Sequence, residues 1–202
     1  MSERERRLSL CAALAAHDPD ALAAAMRALA DAADPGAVEE ALLQSYLFVG
    51  YPVALNALAL WRELSGRPAP TGVVDDAALW ARRGAEVLRR VYGGQYDDVR
   101  ANVRAIHPDM ERWMVSDGYG KVLGREGLDL VERELCVVAL LAVLDTPRQL
   151  YSHLRGARNV GAADGEIEDA LAAAKPFATE AAWDHAQEAW SRLRGRSPDR
   201  AP

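Results

Sequence analysis

Two stretches of this chain are versions of one another, and that constrains the fold more than any single motif. Residues 4–42, RERRLSLCAALAAHDPDALAAAMRALADAADPGAVEEAL, and residues 131–171, VERELCVVALLAVLDTPRQLYSHLRGARNVGAADGEIEDAL, share a charged start, an apolar period of three to four residues, a turn at the same place and a common ending. Each copy reads as a helical hairpin followed by a third helix. In the first, the turn is His17-Asp18-Pro19-Asp20, and Asp34-Pro35 begins the third helix with an N-cap and a proline at its first position. In the second, Asp145-Thr146-Pro147 makes the turn and Ala163-Asp164-Gly165-Glu166 starts the third helix. With 39 alanines, and aromatic residues at only 6%, the chain lacks the β-branched and aromatic supply that strands need. The expectation is an all-α protein.

Between the copies, the chain continues in helical pattern to about Leu64, with a kink at Gly50-Tyr51-Pro52. Ser65 to Gly72 is the most linker-like stretch. Two units are therefore expected: residues 1–66, a linker over 67–75, and residues 76–195. The second unit opens with a helix near 76–92, breaks at Gly93-Gly94, resumes after His107-Pro108 and turns at Gly124 to Gly127.

A net charge of −6 argues against nucleic acid as a partner, because phosphate binding needs a basic surface. No run approaches the roughly 18 apolar residues of a membrane span. The start, MSERERRLSLC, has acidic residues among its arginines and Leu10 where a lipobox needs a small residue, so a soluble cytoplasmic protein is expected. Cys11 and Cys136 both sit in apolar runs and read as buried, reduced thiols, too few for a metal site.

The copies agree in core positions and differ in polar ones. Arg7 aligns with Glu134, Ala25 with His153, and Arg27 with Arg155. Glu134 and His153 lie on neighbouring helices of a hairpin, 12 positions before Thr146 and 7 after it, which leaves an axial offset of about 7–8 Å. Contact between them needs a tilted crossing, a long reach or a water. A carboxylate beside an imidazole fixes its tautomer and makes an acid/base usable near neutral pH. The alternative is a plain structural hydrogen bond. Arg155 and Asn159 share a helix face, where a guanidinium could grip a carboxylate; Arg155 could equally serve a salt bridge. His17, His107 and His185 have no partner recognisable in the sequence.

The run RELCVVALLAVLDTPRQLYSHLRGARNVGAADGEIEDAL closely resembles the core of the carboxymuconolactone decarboxylase family, which includes the alkylhydroperoxidase D proteins. Upstream, RGAEVLRRVYGGQYDDV and MERWMVSDGYGKVLGREGLDL resemble the N-terminal extension of its decarboxylase branch. The resemblance covers residues 82–174, and residues 1–66 resemble a shorter, degenerate copy. It implies an alkylhydroperoxidase D-like helical bundle, assembly into homo-oligomers (a trimer first, a dimer second) and sites near subunit interfaces. The peroxidase branch has a Glu, a Cys-x-x-Cys 12 positions later and a His four after that. Counting from Glu134 puts Thr146 and Gln149 at the cysteine positions and His153 at the histidine. Both reactive sulfurs are missing, which removes the dithiol mechanism. The decarboxylase branch implies a lyase that needs neither metal nor cofactor and acts on a small carboxylated lactone. His153 would deliver the proton and Glu134 orient it, Arg155 and Asn159 would bind carboxylate or oxyanion, and Arg133 and Tyr151 would line the pocket. A non-catalytic scaffold and a residual peroxidase are the alternatives.

Overall fold

The computed structural model describes residues 1–72 and 76–195, and within them every regular element is helical. Residues 73–75 of the expected linker lie outside the described residues. The first part holds α1 (Glu3–Ala15), α2 (Pro19–Leu29), α3 (Pro35–Gln44), α4 (Tyr46–Val49) and α5 (Tyr51–Ser65). The second holds α6 (Ala77–Tyr92), α7 (Tyr96–Ile106), α8 (Pro108–Trp113), α9 (Leu130–Val143), α10 (Pro147–Val160), α11 (Asp164–Ala174) and α12 (Glu180–Arg194). Their starts follow local chemistry. Ser2 and Glu5 form a capping box on α1, Asp18 and Asp34 cap α2 and α3 ahead of a first-turn proline, and Asp129 caps α9.

The α9 helix is apolar nearly all round and buried on every side, as such a helix must be. The α1, α10, α11 and α12 helices pack around it. The small residues of α1 let it lie close to α9, and α1 faces two ways. Leu8, Cys11, Ala12 and Ala15 join the main core around α9, whereas Leu10 and Leu14 join a smaller core with Met26, Leu29, Val38, Leu42 and Trp61. The units expected on either side of the linker thus share a helix.

Both hairpins turn with the same backbone. His17 and Asp145, each two residues before the proline, take positive φ values of 55° and 52°. In each turn the following amide reaches back five residues, Asp18 N–H to the Ala13 carbonyl at 3.2 Å and Thr146 N–H to the Leu141 carbonyl at 3.4 Å.

Two features were not legible in the sequence pattern. The α7 helix fills the expected break after Gly94: Tyr96, Val99, Val103 and Ile106 recur at helical spacing, and of these only Tyr96 is buried. After α8 the chain widens into a helical segment, Met114–Val122, with five-residue closures such as Leu123 N–H to the Gly118 carbonyl at 2.9 Å. This segment crosses α6 at Gly84 and Gly120, where a Cβ would lie 1.9 Å from the Val115 oxygen and 2.0 Å from the Trp80 oxygen respectively. Only glycine permits that approach, which brings Tyr119 in beside α6.

Candidate active site

Three consecutive charged residues, Glu132, Arg133 and Glu134, are buried at the start of α9. Successive helical residues are rotated by about 100°, so each points to a different neighbour. Glu132 pairs with Arg4 and Arg7 of α1. Arg133, fully buried, meets Glu40 at 2.8 Å, Gln44 at 3.1 Å and the carbonyls of Arg125, Glu126 and Leu128. Glu134 turns to α10, and its Oε2 lies 2.8 Å from Nδ1 of His153. The offset read from the sequence is closed without a bridging water.

Gly156, one turn beyond His153 on α10, makes the room. A Cβ there would stand 2.9 Å from Glu134 Oε2 and 2.8 Å from Val91 of α6. With Glu134 ionised, Nδ1 carries a proton and donates it to the carboxylate, leaving Nε2 as the nitrogen that can exchange a proton.

Around this pair lie residues from four other places in the chain. Phe48 of α4 stands edge-to-face against the His153 ring, with centroids 5.8 Å apart and planes at 81°. Tyr119 donates from its hydroxyl to that of Tyr92 at 3.3 Å. Burial pushes both phenols up from their ordinary range, Tyr119 well up, and the Glu134 charge adds to each shift. Arg155 acts on Tyr92 in the opposite sense. Glu134 Oε1 and Arg155 Nε are both buried without a protein partner. Leaving such groups unmatched costs about 1–3 kcal/mol each, more when charged, so a ligand or water that matched them would recover that.

Of the residues expected in the site, the structure brings Glu134 and His153 into direct contact, while Arg155, two positions further along α10, keeps its Nε buried without a protein partner. Asn159 is committed elsewhere, its amide donating to the Val91 carbonyl at 2.8 Å and tying α10 to the end of α6. Arg133 is a correction: it braces α9 against α3 and the 124–128 turn and lines no pocket, because it leaves α9 about 100° from Glu134. Tyr151 lies in a separate groove of about 410 Å³ between α10 and α12, beneath the Arg192 guanidinium. Tyr92 and Tyr119 were missed. Their only signal was their place in the two upstream stretches that carried the resemblance. Phe48 gave no signal at all, since it comes from the other copy.

Arg7, the counterpart of Glu134, ends in an ion pair with Glu132, and Ala25, the counterpart of His153, packs in the smaller core. Cys11 and Cys136 are buried and free. A hydrogen bond with Cys136 and then burial push the Cys11 thiol well up, which keeps it protonated and unreactive. Gln149, at one cysteine position of the peroxidase pattern, is exposed, and Thr146 at the other keeps its hydroxyl buried without a partner. Among the described residues no three His, Cys, Asp or Glu side chains converge as a metal site, and no helix is long and apolar enough to cross a membrane.

His107 caps α8, accepting from Asp109 N–H at 3.1 Å. His185 does have a partner, contrary to the sequence reading: its Nδ1 lies 2.8 Å from Asp145 Oδ1, joining α12 to the α9–α10 turn. The Asp145 hydrogen bond and charge raise the His185 pKa above its ordinary 6.5. The contribution to folding is therefore fully present below pH 6.5 and is lost as pH rises through the raised value. Hydrogen exchange of the α12 amides is expected to quicken relative to the core over that range, beyond the intrinsic pH effect, and His185→Ala should abolish the difference. An identical pH response in the variant would show that the pair does not hold α12.

Residues 108–192 match the model of the carboxymuconolactone decarboxylase family. The chain is also 30% identical over 141 residues to peroxisomal protein 2 of Schizosaccharomyces pombe, a match covering 66% of this chain and 64% of that protein. The segment that carries both Glu134 and His153 is thus the part of the chain that is similar to the carboxymuconolactone decarboxylase family.

Proposed function

We propose that this protein is a cofactor-free lyase that removes CO2 from a small carboxylated lactone, with His153 as acid/base. The observation that carries this reading is the buried Glu134–His153 pair, in which one carboxylate oxygen is left without a protein partner. In the proposed reaction Arg155 holds the substrate carboxylate out of conjugation. The C–C bond breaks, CO2 departs, and its electron pair moves into the conjugated ring carbonyl. Arg155 or a Tyr92 hydroxyl then stabilises the enolate oxygen, and protonated His153 delivers a proton from Nε2 to carbon. Water restores that proton, so the step consumes none overall beyond the one that replaces CO2. Asn159 is not needed, since its amide already serves Val91.

A panel of carboxylated unsaturated lactones, followed by ultraviolet absorbance and CO2 release, tests the reading. Turnover of at least one supports it, and none across the panel removes it in favour of a scaffold. Residual dithiol peroxidase chemistry has no support from two buried thiols away from the expected cysteine positions.

The matching turns at His17 and Asp145 support a doubled hairpin in which the first copy has exchanged its polar pair for packing. The protein assembles in this reading as a homo-oligomer, a trimer before a dimer, and the exposed Ile106, Met110 and Trp113 of α7 and α8 favour association. Light scattering at micromolar concentration is expected to give a multiple of the 21.9 kDa chain, and a monomer would exclude it. A reducing compartment such as the cytoplasm suits the two free thiols.

A further inference from the structure

We infer that Phe48, supplied by the first copy, is the specificity-determining wall of the His153 site, and that it selects a flat, unsaturated ring over a bulky one. This rests on the lyase reading for the substrate, though the shielding of His153 does not. His153 is 9% exposed, and the edge-to-face ring of Phe48 is part of what covers it. Nδ1 is held by Glu134, so any ligand must approach Nε2 past this wall.

The α4 helix is built for placing one side chain rather than for continuing a helix. It has four residues, no side-chain cap bond at its start, and ends at Gly50, whose φ of 85° and ψ of 160° favour glycine. Leu47 and Phe48 pack against the main core, as Leu8, Cys11 and Ala12 of α1 do, and Val49 touches both cores. The break at Gly50-Tyr51-Pro52 thus redirects the chain, laying an apolar turn over the second copy's acid/base. Within reach of the Glu134 charge lie the hydrogen-bonded hydroxyls of Tyr92 and Tyr119, which offer polar groups to a ligand oxygen. The Phe48 and His153 rings touch edge to face, so a ligand reaches the imidazole by displacing the edge of Phe48, which a flat ring with a single charged substituent does with the least movement. In a single-copy ancestor such a wall would have to come from another subunit; in this chain it is covalently attached.

Acylation of histidines by diethyl pyrocarbonate, mapped by mass spectrometry on the full chain, tests the shielding without any substrate. The exposed His17 and His107 are internal references. In the wild type His153 should react about tenfold more slowly than His107, and Phe48→Ala should raise its rate about 5–10-fold with His107 unchanged, as expected when a local cover is removed. Phe48→Leu, which keeps most of the packing, should give a smaller rise of about twofold and serves if the alanine variant fails to fold. Equal rates for His153 in the wild type and a folded Phe48 variant would overturn the inference, as would a wild-type His153 as reactive as His107. With an active lactone in hand, Phe48→Ala should shift kcat/KM towards a ring bearing one extra methylene by about tenfold. Turnover that depends on His153 while keeping its substrate preference in Phe48→Ala would leave the lyase standing and remove Phe48 as its selector. No turnover in the wild type would remove the lyase and leave the acylation result to decide the shielding.

Discussion

Replacing His153 by asparagine is expected to lower lactone turnover by about 10²–10⁴-fold, the range that a positioned acid/base contributes. Asparagine places its amide nitrogen near the position of Nδ1, so the bond to Glu134 Oε2 can persist and the fold with it. What disappears is Nε2, the atom that exchanges the proton. His153→Ala is a harsher test, because it leaves both Glu134 oxygens buried without a partner and invites a stability loss on top of the catalytic one. Glu134→Gln should be milder in kcat than His153→Asn, since it disturbs the tautomer and orientation while the imidazole remains. Measuring kcat and KM separately, with circular dichroism as a control for folding, decides the matter. Equal turnover in His153→Asn and the wild type would remove His153 from the chemistry.

The largest stability effect is expected at the neighbouring residue. Arg133→Met should cost ~3–5 kcal/mol, the usual consequence of removing one member of a buried ion pair. For a chain of about this size that corresponds to a fall in Tm of roughly 10 °C. Methionine fills the stem of the side chain but returns none of the bonds to Glu40, Gln44 and the three carbonyls of the 124–128 turn. Burial opposes the charge on Glu40, yet Arg125 and Arg133 together hold its carboxyl below the ordinary 4.5. Its contribution is therefore present above pH 4.5 and is lost as the pH falls through the depressed value. Arg133→Met should shrink this acid-side dependence, leaving only the part due to Arg125. The double variant with Glu40→Gln should cost less than the sum of the two single changes. Thermal melts of the four proteins between pH 4 and pH 7 check both statements. Additive losses would show that Arg133 and Glu40 do not act as a pair.

Much of the fold was legible because it rests on local rules. Aspartate and proline at 18–19 and 34–35 cap and start α2 and α3, Pro147 starts α10, and the run after Glu134 reads as a long apolar helix. The α7 helix escaped because only Tyr96 is buried on it. In the site, Glu134 and His153 could be nominated from their spacing, but Arg133 could not be separated from Glu134. In the sequence they are adjacent charged residues of one helix. Only the 100° between them sends one to the acid/base pair and the other to a structural brace.

The sequence by itself determined two helical hairpins of matching pattern, the all-α class and the absence of cysteines from the peroxidase positions, because periodicity, turn residues and side-chain identity are local properties. The tertiary structure alone decided which polar groups meet. It closed the 7–8 Å offset through Gly156, which lets α9 and α10 approach, and it spent Asn159 on Val91 instead of a ligand. It brought Tyr92 and Tyr119 in through a crossing that tolerates only glycine, and it carried Phe48 from the first copy onto His153. Those contacts join residues up to 105 positions apart, and their distances depend on how whole helices cross, which no window of sequence records.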